Sequence, residues 1–137
     1  GEGQYSMHPE LRNTFDTEFE SVLAELPARI HELIDEIPLV VDDYPSREVL
    51  RRTRTRHRSQ LCGLYTGIPL THRSVNDWGV PSDVIHIYRE GILSQATRRD
   101  GSLSLPRLRK QIRVTILHEY GHHHGLTERE LRGLGYG

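Results

Sequence analysis

The chain has 137 residues, a length typical of one domain, and a formal net charge of −1 at pH 7. This near-neutral charge gives no overall attraction to nucleic acid or to an anionic membrane. The single cysteine, Cys62, excludes an internal disulfide and a zinc site made of several cysteines. No apolar run approaches the roughly 20 residues that span a bilayer, and "GEGQYSMHPE" lacks the apolar stretch of a signal peptide, so we expect a cytoplasmic protein. Residues 1–8 are expected to be a flexible N-terminus or an expression remnant, and residues 9–137 a single domain.

The first part of the chain predicts two helices and a strand. Residues 9–27 place apolar side chains at helical spacing, and residues 28–37 do so over a shorter stretch that Pro38 ends. "LVVDDYP" then predicts a short strand that ends at Pro45.

Residues 46–60 contain a cluster of arginines. Arg52, Arg54, Arg56 and Arg58 alternate with threonine and histidine, so an extended segment would place them on one face. A nucleic-acid surface is one interpretation of this pattern. The lack of net positive charge and of interleaved aromatic residues favours a solvated surface, so we do not expect nucleic acid as a partner.

The remaining chain predicts two more strands and a long helix. Residues 61–82 have the composition of a folded loop, with a short strand at 61–65. Residues 83–93 predict a strand, which a polar and mobile connection follows. A helix then begins at Pro106 and ends at Gly125, and because it is apolar nearly all round we expect it at the centre of the protein.

This last helix carries the sequence HEYGH. His118 and His122 are four residues apart, so their imidazoles share one face and can bind one zinc ion per chain. Glu119 lies about 100° around the axis, where it is aimed to hold a water molecule on that metal and take its proton. The motif also arises by chance, but these polar groups in a buried helix would be costly unless satisfied. His123 and His124 are rotated away, and we expect them to support the site or face solvent.

The third protein ligand is predicted to be Glu128. The chain after the helix holds two carboxylates, Glu128 and Glu130, and no histidine. "TERE" matches a capping box, in which Thr127 is the N-cap and Glu130 reaches back to it, so Glu128 is left to bind the metal. An upstream aspartate, such as Asp42 or Asp83, is the alternative.

Several stretches together resemble small bacterial zincin-like proteins called minimal metalloproteases. They are "GLYTGIPLTHRS", "DVIHIYREGIL", "IRVTILHEYGHHHGL" and "ERELRGLGY". "HEYGHHHGLTE" is also similar to the extended zincin signature H-E-x-x-H-x-x-G-x-x-H/D, with Glu128 at its last position. The resemblance covers most of the chain from about residue 9. It implies an α+β fold, a compact single domain in which a small twisted mixed sheet packs on helices, including the active-site helix.

The chain departs from larger zincins in two respects. Glu128 stands where metzincins usually have histidine, and no methionine follows the motif because Met7 is the only one. In the gluzincin pattern the third ligand arrives on a later helix, and the remaining chain is too short for one.

These features predict a zinc-dependent hydrolase, foremost a metallopeptidase that acts on a peptide or protein with Glu119 as general base. By resemblance and pattern, residues 83–89 are the candidate edge strand for an extended substrate, and an ordinary core strand is the equal alternative. His86 and Tyr88 would contact that substrate, and Tyr136 could donate to the oxyanion.

Two other functions stay open. A non-catalytic, zinc-stabilised binding module would need no general base, and structural zinc sites usually have four protein ligands, so Glu119 favours an enzyme. A zinc-dependent nuclease is supported only by the arginines. Tyr120 faces away from the ligands and is expected to pack in the core.

Overall fold

The computed structural model describes residues 7–67, 83–123 and 129. The helices are α1 (Pro9–Glu25), α2 (Ala28–Glu36), α3 (Arg47–Thr53), α4 (Arg89–Ala96) and α5 (Leu105–His123), with one turn of 3₁₀ helix at Arg58–Gln60. The strands are β1 (Leu39–Asp42), β2 (Gly63–Gly67) and β3 (Asp83–Tyr88). Helices packed on a mixed sheet confirm the predicted α+β class.

The three strands form one sheet in the order β1-β3-β2, so β3 is the central strand. It pairs in parallel with β1, where Val41 lies opposite Ile87, and antiparallel with β2, where Gly63 lies opposite Ile87. Side chains alternate between the two faces of a strand, and the fully buried Ile85 and Ile87 mark the face that packs on the helices.

Helix α5 passes through the centre of the protein, as predicted. Five of its side chains are 0% exposed, namely Leu108, Ile112, Ile116, Leu117 and Tyr120. Burial of each such side chain contributes about 1.5–3 kcal/mol relative to an exposed one. The helix packs against α1, α4, β2 and β3, and Ser104 accepts from the Arg107 N–H at its start.

The two N-terminal helices also follow the sequence pattern. The His8 side chain accepts from the Glu10 N–H, and α1 buries Phe15 and Val22. Residues 1–6 lie outside the described residues, whereas Met7 packs against the hydrophobic core. No helix in the described part of the chain is long and apolar enough to cross a membrane.

The expected strand over residues 83–93 is wrong beyond Tyr88, because α4 begins at the next residue. The β-branched pattern does not decide this segment, since tertiary packing overrides it. A Cβ at Gly91 would lie 2.1 Å from the Leu61 carbonyl oxygen, so α4 rests directly on that backbone. The polar segment that follows is not a loose connection, because the Arg98 N–H donates to the Ser102 carbonyl across a tight turn.

The arginine segment is helical where the sequence analysis placed the arginines on one face of an extended segment. Ser46 caps α3 by accepting from the Val49 N–H, and the helix ends at Arg54 in the left-handed region with φ 56 and ψ 38. The arginines therefore spread around a helix and its C-terminal turn. The short strand expected at 61–65 lies two residues further on, at β2.

Candidate metal and active site

The HEYGH motif lies in the last turns of α5, and its two sides have opposite environments. His118 is exposed, Glu119 is half-buried, and Tyr120 is fully buried. The Tyr120 hydroxyl donates to the Ile37 carbonyl at 2.6 Å, which holds α5 against the end of α2. His122 is in the same helix one turn after His118, as the spacing requires. The helix thus turns its motif histidine to solvent and its tyrosine to the core.

Glu119 lies beneath the first residue of β2. A Cβ built on Gly63 would lie 3.4 Å from Glu119 Cγ, 3.0 Å from Thr115 Cγ2 and 3.2 Å from the His86 carbonyl oxygen. A side chain at this position would press on all three groups, so glycine favours the close approach of β2 and α5. The sheet therefore packs directly on the carbon chain that carries the Glu119 carboxylate.

Thr115, one turn before Glu119, ties the helix to the start of β2. Its hydroxyl donates to the Gln111 carbonyl at 2.7 Å, and the Gln111 amide lies 3.2 Å from that hydroxyl and 4.0 Å from Cys62 Sγ. Neither Gly63 nor Thr115 was among the predicted site residues. The glycines at the two ends of "GLYTG" were the available signal, because glycine in a strand often marks close backbone approach.

Tyr65 and Asp83 form a hydrogen bond on the same face of the sheet as Gly63. The Tyr65 hydroxyl donates to Asp83 Oδ1 at 2.9 Å. A Cβ at Gly67 would fall 2.5 Å from that carboxylate oxygen and 2.7 Å from the Tyr65 hydroxyl, so glycine is required for the bond. Asp83, one of the alternative metal ligands, therefore faces the side of the sheet on which α5 packs.

His86, Tyr88 and Asp42 lie on the opposite face of the sheet from Glu119. Asp42 pairs with Tyr88 across the strands, His86 Nδ1 lies 3.0 Å from Asp42 Oδ2, and the His86 and Tyr88 rings stack at 6.2 Å. Burial and the nearby Asp42 charge raise the pKa of Tyr88 to about 12, so its hydroxyl stays protonated at neutral pH. All three line an open pocket of about 540 Å³. The structure does not bring them together with Glu119, because the sheet lies between.

The position of β3 corrects the expected edge strand over residues 83–89. This strand is hydrogen-bonded on both sides, to β1 and to β2, and has no open edge for a substrate. The alternative interpretation, an ordinary core strand, is therefore the correct one for β3. Of the described strands β2 is the one that both lies at an edge and contacts Glu119.

The remaining predicted site residues, Glu128 and Tyr136, lie outside the described residues, as do His124 and Glu130. Within the described part of the chain, no three histidine, cysteine or acidic side chains form a metal-binding group. The described side chains nevertheless fit zinc, since the exposed His118 and the adjacent Glu119 supply an imidazole and an oxygen donor, and His122 follows one turn later in the same helix.

Burial also sets the chemistry of Cys62, the single cysteine of the chain, which lies next to Gln111 of α5. It raises the pKa of the Cys62 thiol to about 11, so the thiolate is scarce at neutral pH. The arrangement therefore favours hydrolysis by a base and a metal over attack by a cysteine.

The comparison with known families agrees with this geometry. The family described as zincin-like metallopeptidase matches residues 34–136, which include the whole sheet and α5. No curated protein matches the chain. The family match covers more than half of the chain and includes the motif, so the chain belongs to the zincin-like metallopeptidases.

Proposed function

We propose that the protein is a zinc-dependent peptidase in which His118, His122 and Glu128 hold one zinc ion and Glu119 is the general base. The observation that carries this proposal is the placement of Glu119, half-buried under Gly63 and next to the exposed His118. A carboxylate held by packing beside a metal-binding histidine is the arrangement that general-base catalysis requires.

Each residue has a separate part in this proposal. Zinc, when bound, would polarise the scissile carbonyl and lower the pKa of a water molecule in the cleft. The Glu119 carboxylate would accept a proton from that water and deliver it to the leaving amine. Gly63 and Thr115 fix the carbon chain of Glu119, so that the carboxylate is held for this transfer.

The substrate proposed is an extended peptide or protein segment that pairs with the outer edge of β2, where no described strand lies. In the described residues β2 is bonded only to β3, and its first residue lies over Glu119. Main-chain pairing along an edge strand binds peptides of many sequences, since it uses only backbone groups. This assigns to β2 the role that the sequence analysis gave to β3.

The setting proposed for this activity is the cytoplasm. A single cysteine forms no internal disulfide, as is usual for proteins of a reducing compartment.

Glu119→Gln tests the proposal. It removes the base and leaves the ligands, so we expect retained zinc and a loss of peptidase activity of about 10²–10⁴-fold. Zinc is measured by elemental analysis and activity by digestion of casein or a peptide library. The exposed Glu36→Gln on α2 is the matched control and should change neither value.

His118→Ala completes the experiment, because it should lose zinc and activity together. Equal cleavage by the parent protein and Glu119→Gln would assign the activity to a contaminant. Zinc binding without cleavage by the parent would instead support the non-catalytic binding module.

A further inference from the structure

The arginine segment is the strongest charged feature outside the cleft. Residues 47–58 contain six arginines and one glutamate, in a chain whose net charge is −1. Arg47, Arg51, Arg54 and Arg56 line one open groove of about 720 Å³ together with Leu50 and Thr55. We call this the arginine groove.

Two arginines of this groove, Arg51 and Arg54, differ from several others in the protein. Arg12, Arg89 and Arg109 each form an ion pair with an acidic side chain. No described carboxylate lines the groove, and Arg51 and Arg54 have no ion-pair partner in the described part of the chain. Two like charges that lie close together without a counter-charge repel one another, so Arg51 and Arg54 are matched to an anion that comes from outside.

The backbone at Arg54 supports a functional role. Arg54 is the only described residue other than glycine with positive φ, at 56°. It closes α3 with the Thr55 N–H donating to the Leu50 carbonyl, in a turn where glycine is normally preferred. A non-glycine residue is strained in this conformation, and residues held in this way cluster at functional sites.

The dimensions of the groove fit a peptide. Arg47 and Arg51 lie one turn apart on α3 and Arg54 caps its C-terminal end, so the three extend over roughly 10 Å, the length of about three extended residues. The guanidinium fork matches a carboxylate, and Leu50 offers an apolar contact between the charges. No aromatic side chain lines the groove, so a nucleic-acid base has no surface on which to stack.

We propose that the arginine groove is a docking surface for an acidic segment of the polypeptide substrate, away from the cleft. This proposal rests on the proposed peptidase function, because the docked segment is taken to belong to the molecule that is cleaved. Arg47 and Leu50 also line the pocket on the outer face of the sheet, whereas α5 packs on the inner face. A substrate held by both surfaces must therefore be longer than the part that enters the cleft.

Binding is measured with the zinc-loaded, full-length Glu119→Gln protein, so that no cleavage is needed. The probe is a fluorescein-labelled peptide that repeats Glu-Glu-Leu, with a Gln-Gln-Leu peptide as the uncharged control. We expect saturable binding of the acidic peptide alone by fluorescence anisotropy. Because the assay needs no turnover, an inactive parent protein that still bound the peptide would refute the peptidase and not the docking surface.

The decisive variant combines Arg51→Gln, Arg54→Gln and Arg56→Gln. It should weaken peptide binding by about tenfold or more, as expected for the loss of three charged contacts. The matched control removes three exposed arginines elsewhere, Arg29, Arg99 and Arg107, and should leave binding nearly unchanged. If both triple variants weakened peptide binding equally, the binding would depend only on the net charge of the protein, and the proposal would be overturned.

Arg54→Gly separates binding from stability. Glycine relieves the positive φ, so the melting temperature should stay the same or rise while peptide binding falls. Unchanged binding by this variant would contradict the role of Arg54. Tighter binding of a single-stranded oligothymidylate than of the acidic peptide would identify the partner as nucleic acid and overturn the proposal.

Discussion

Gly63 sets the distance between the edge strand and the carboxylate on which the proposed chemistry depends. Its missing side chain leaves β2 in contact with Thr115 and Glu119, at distances that a methyl group would fill. A displacement of a catalytic group of less than an ångström is enough to slow an enzyme, because proton transfer depends on reach.

Gly63→Ala should therefore lower the peptidase rate by about tenfold or more and leave zinc affinity unchanged. The added methyl group lies 3.0 Å from Thr115 Cγ2, so Thr115→Ser in the same chain removes that contact and should restore part of the rate. The measurement is kcat with zinc content and melting temperature. If the loss of rate followed the melting temperature alone, Gly63 would have only a structural role.

The identity of the third ligand is also a question about single residues. Glu128→Ala should weaken zinc affinity by about tenfold or more, whereas Glu130→Ala should cost about 1 kcal/mol of stability through a lost cap. Asp83→Asn is the matched test of the alternative, since Asp83 lies on the inner face of the sheet and accepts from Tyr65. Competition with a zinc-sensitive dye measures all three variants. A tenfold loss in Asp83→Asn with none in Glu128→Ala would assign the site to Asp83.

Among single residues, the helical spacing predicted that Tyr120 packs in the core, and it is fully buried. His118, on another side of the same helix, is exposed. Alternation in a strand shows that His86 and Tyr88 share a face, and does not show which face of the sheet α5 covers.

Asp43 joins three segments of the fold, the end of β1, α1 and the start of α4. Arg12 Nε donates to its carboxylate at 3.2 Å, and Arg89 Nη1 donates at 2.9 Å. Arg89 Nε also donates to Asp16 at 2.9 Å. The hydrogen bond from Arg12, and after it the charges of Arg12 and Arg89, hold the pKa of Asp43 below its ordinary value.

This network predicts how stability depends on pH. Since the pKa of Asp43 is lower in the folded state, its contribution is fully present above the unfolded value of about 3.9 and is lost as the pH falls through the folded value. Asp43→Asn should cost about 2 kcal/mol at pH 7 and flatten the loss of unfolding free energy below about pH 4. Urea denaturation across this pH range checks it, with the exposed Asp35→Asn as control. If the unfolding free energies of the parent and of Asp43→Asn changed in parallel with pH, the network would not contribute to the pH dependence.

Among the helices and strands, α1, α2 and α5 were predictable because each has an apolar stripe of helical period or a clear stop residue. The strand–helix junction at Tyr88 was not, since Ile92 and Leu93 continue the β-branched and aliphatic pattern into α4. The central place of β3 was also beyond the sequence, because strand order depends on contacts between distant segments.

At the scale of the whole molecule, the family match and the proposed metal site lead to a prediction about stability. A metal that binds only the folded state adds RT ln(1 + [Zn]/Kd), which is about 2.7 kcal/mol at a hundred times Kd. Removal of zinc with a chelator should lower the melting temperature, and added zinc should restore it. The His118→Ala variant should show no response to either treatment. If the parent protein had the same melting temperature with chelator and with added zinc, the folded state would not bind zinc.

The general class of the molecule was more accessible from sequence than its site. "GLYTGIPLT" and "RVTILHEYGHHHG" carry enough local information to indicate a zincin-like chain, and the match over residues 34–136 confirms it. The contact between Gly63 and Glu119 joins residues far apart in the chain, so no local pattern predicts its distance.

The burial of α5 has a consequence for how a metal would enter and leave the proposed site. Its five fully buried side chains hold the helix in place through apolar contacts that involve no metal. The exposed His118 is thus presented by a helix that is held without the ion, unlike a zinc finger, which is unfolded without its ion. Loading would then require no folding of α5. Metals that accept the same donors can compete for the position, so the occupant will follow the supply in the surrounding solution as well as intrinsic affinity.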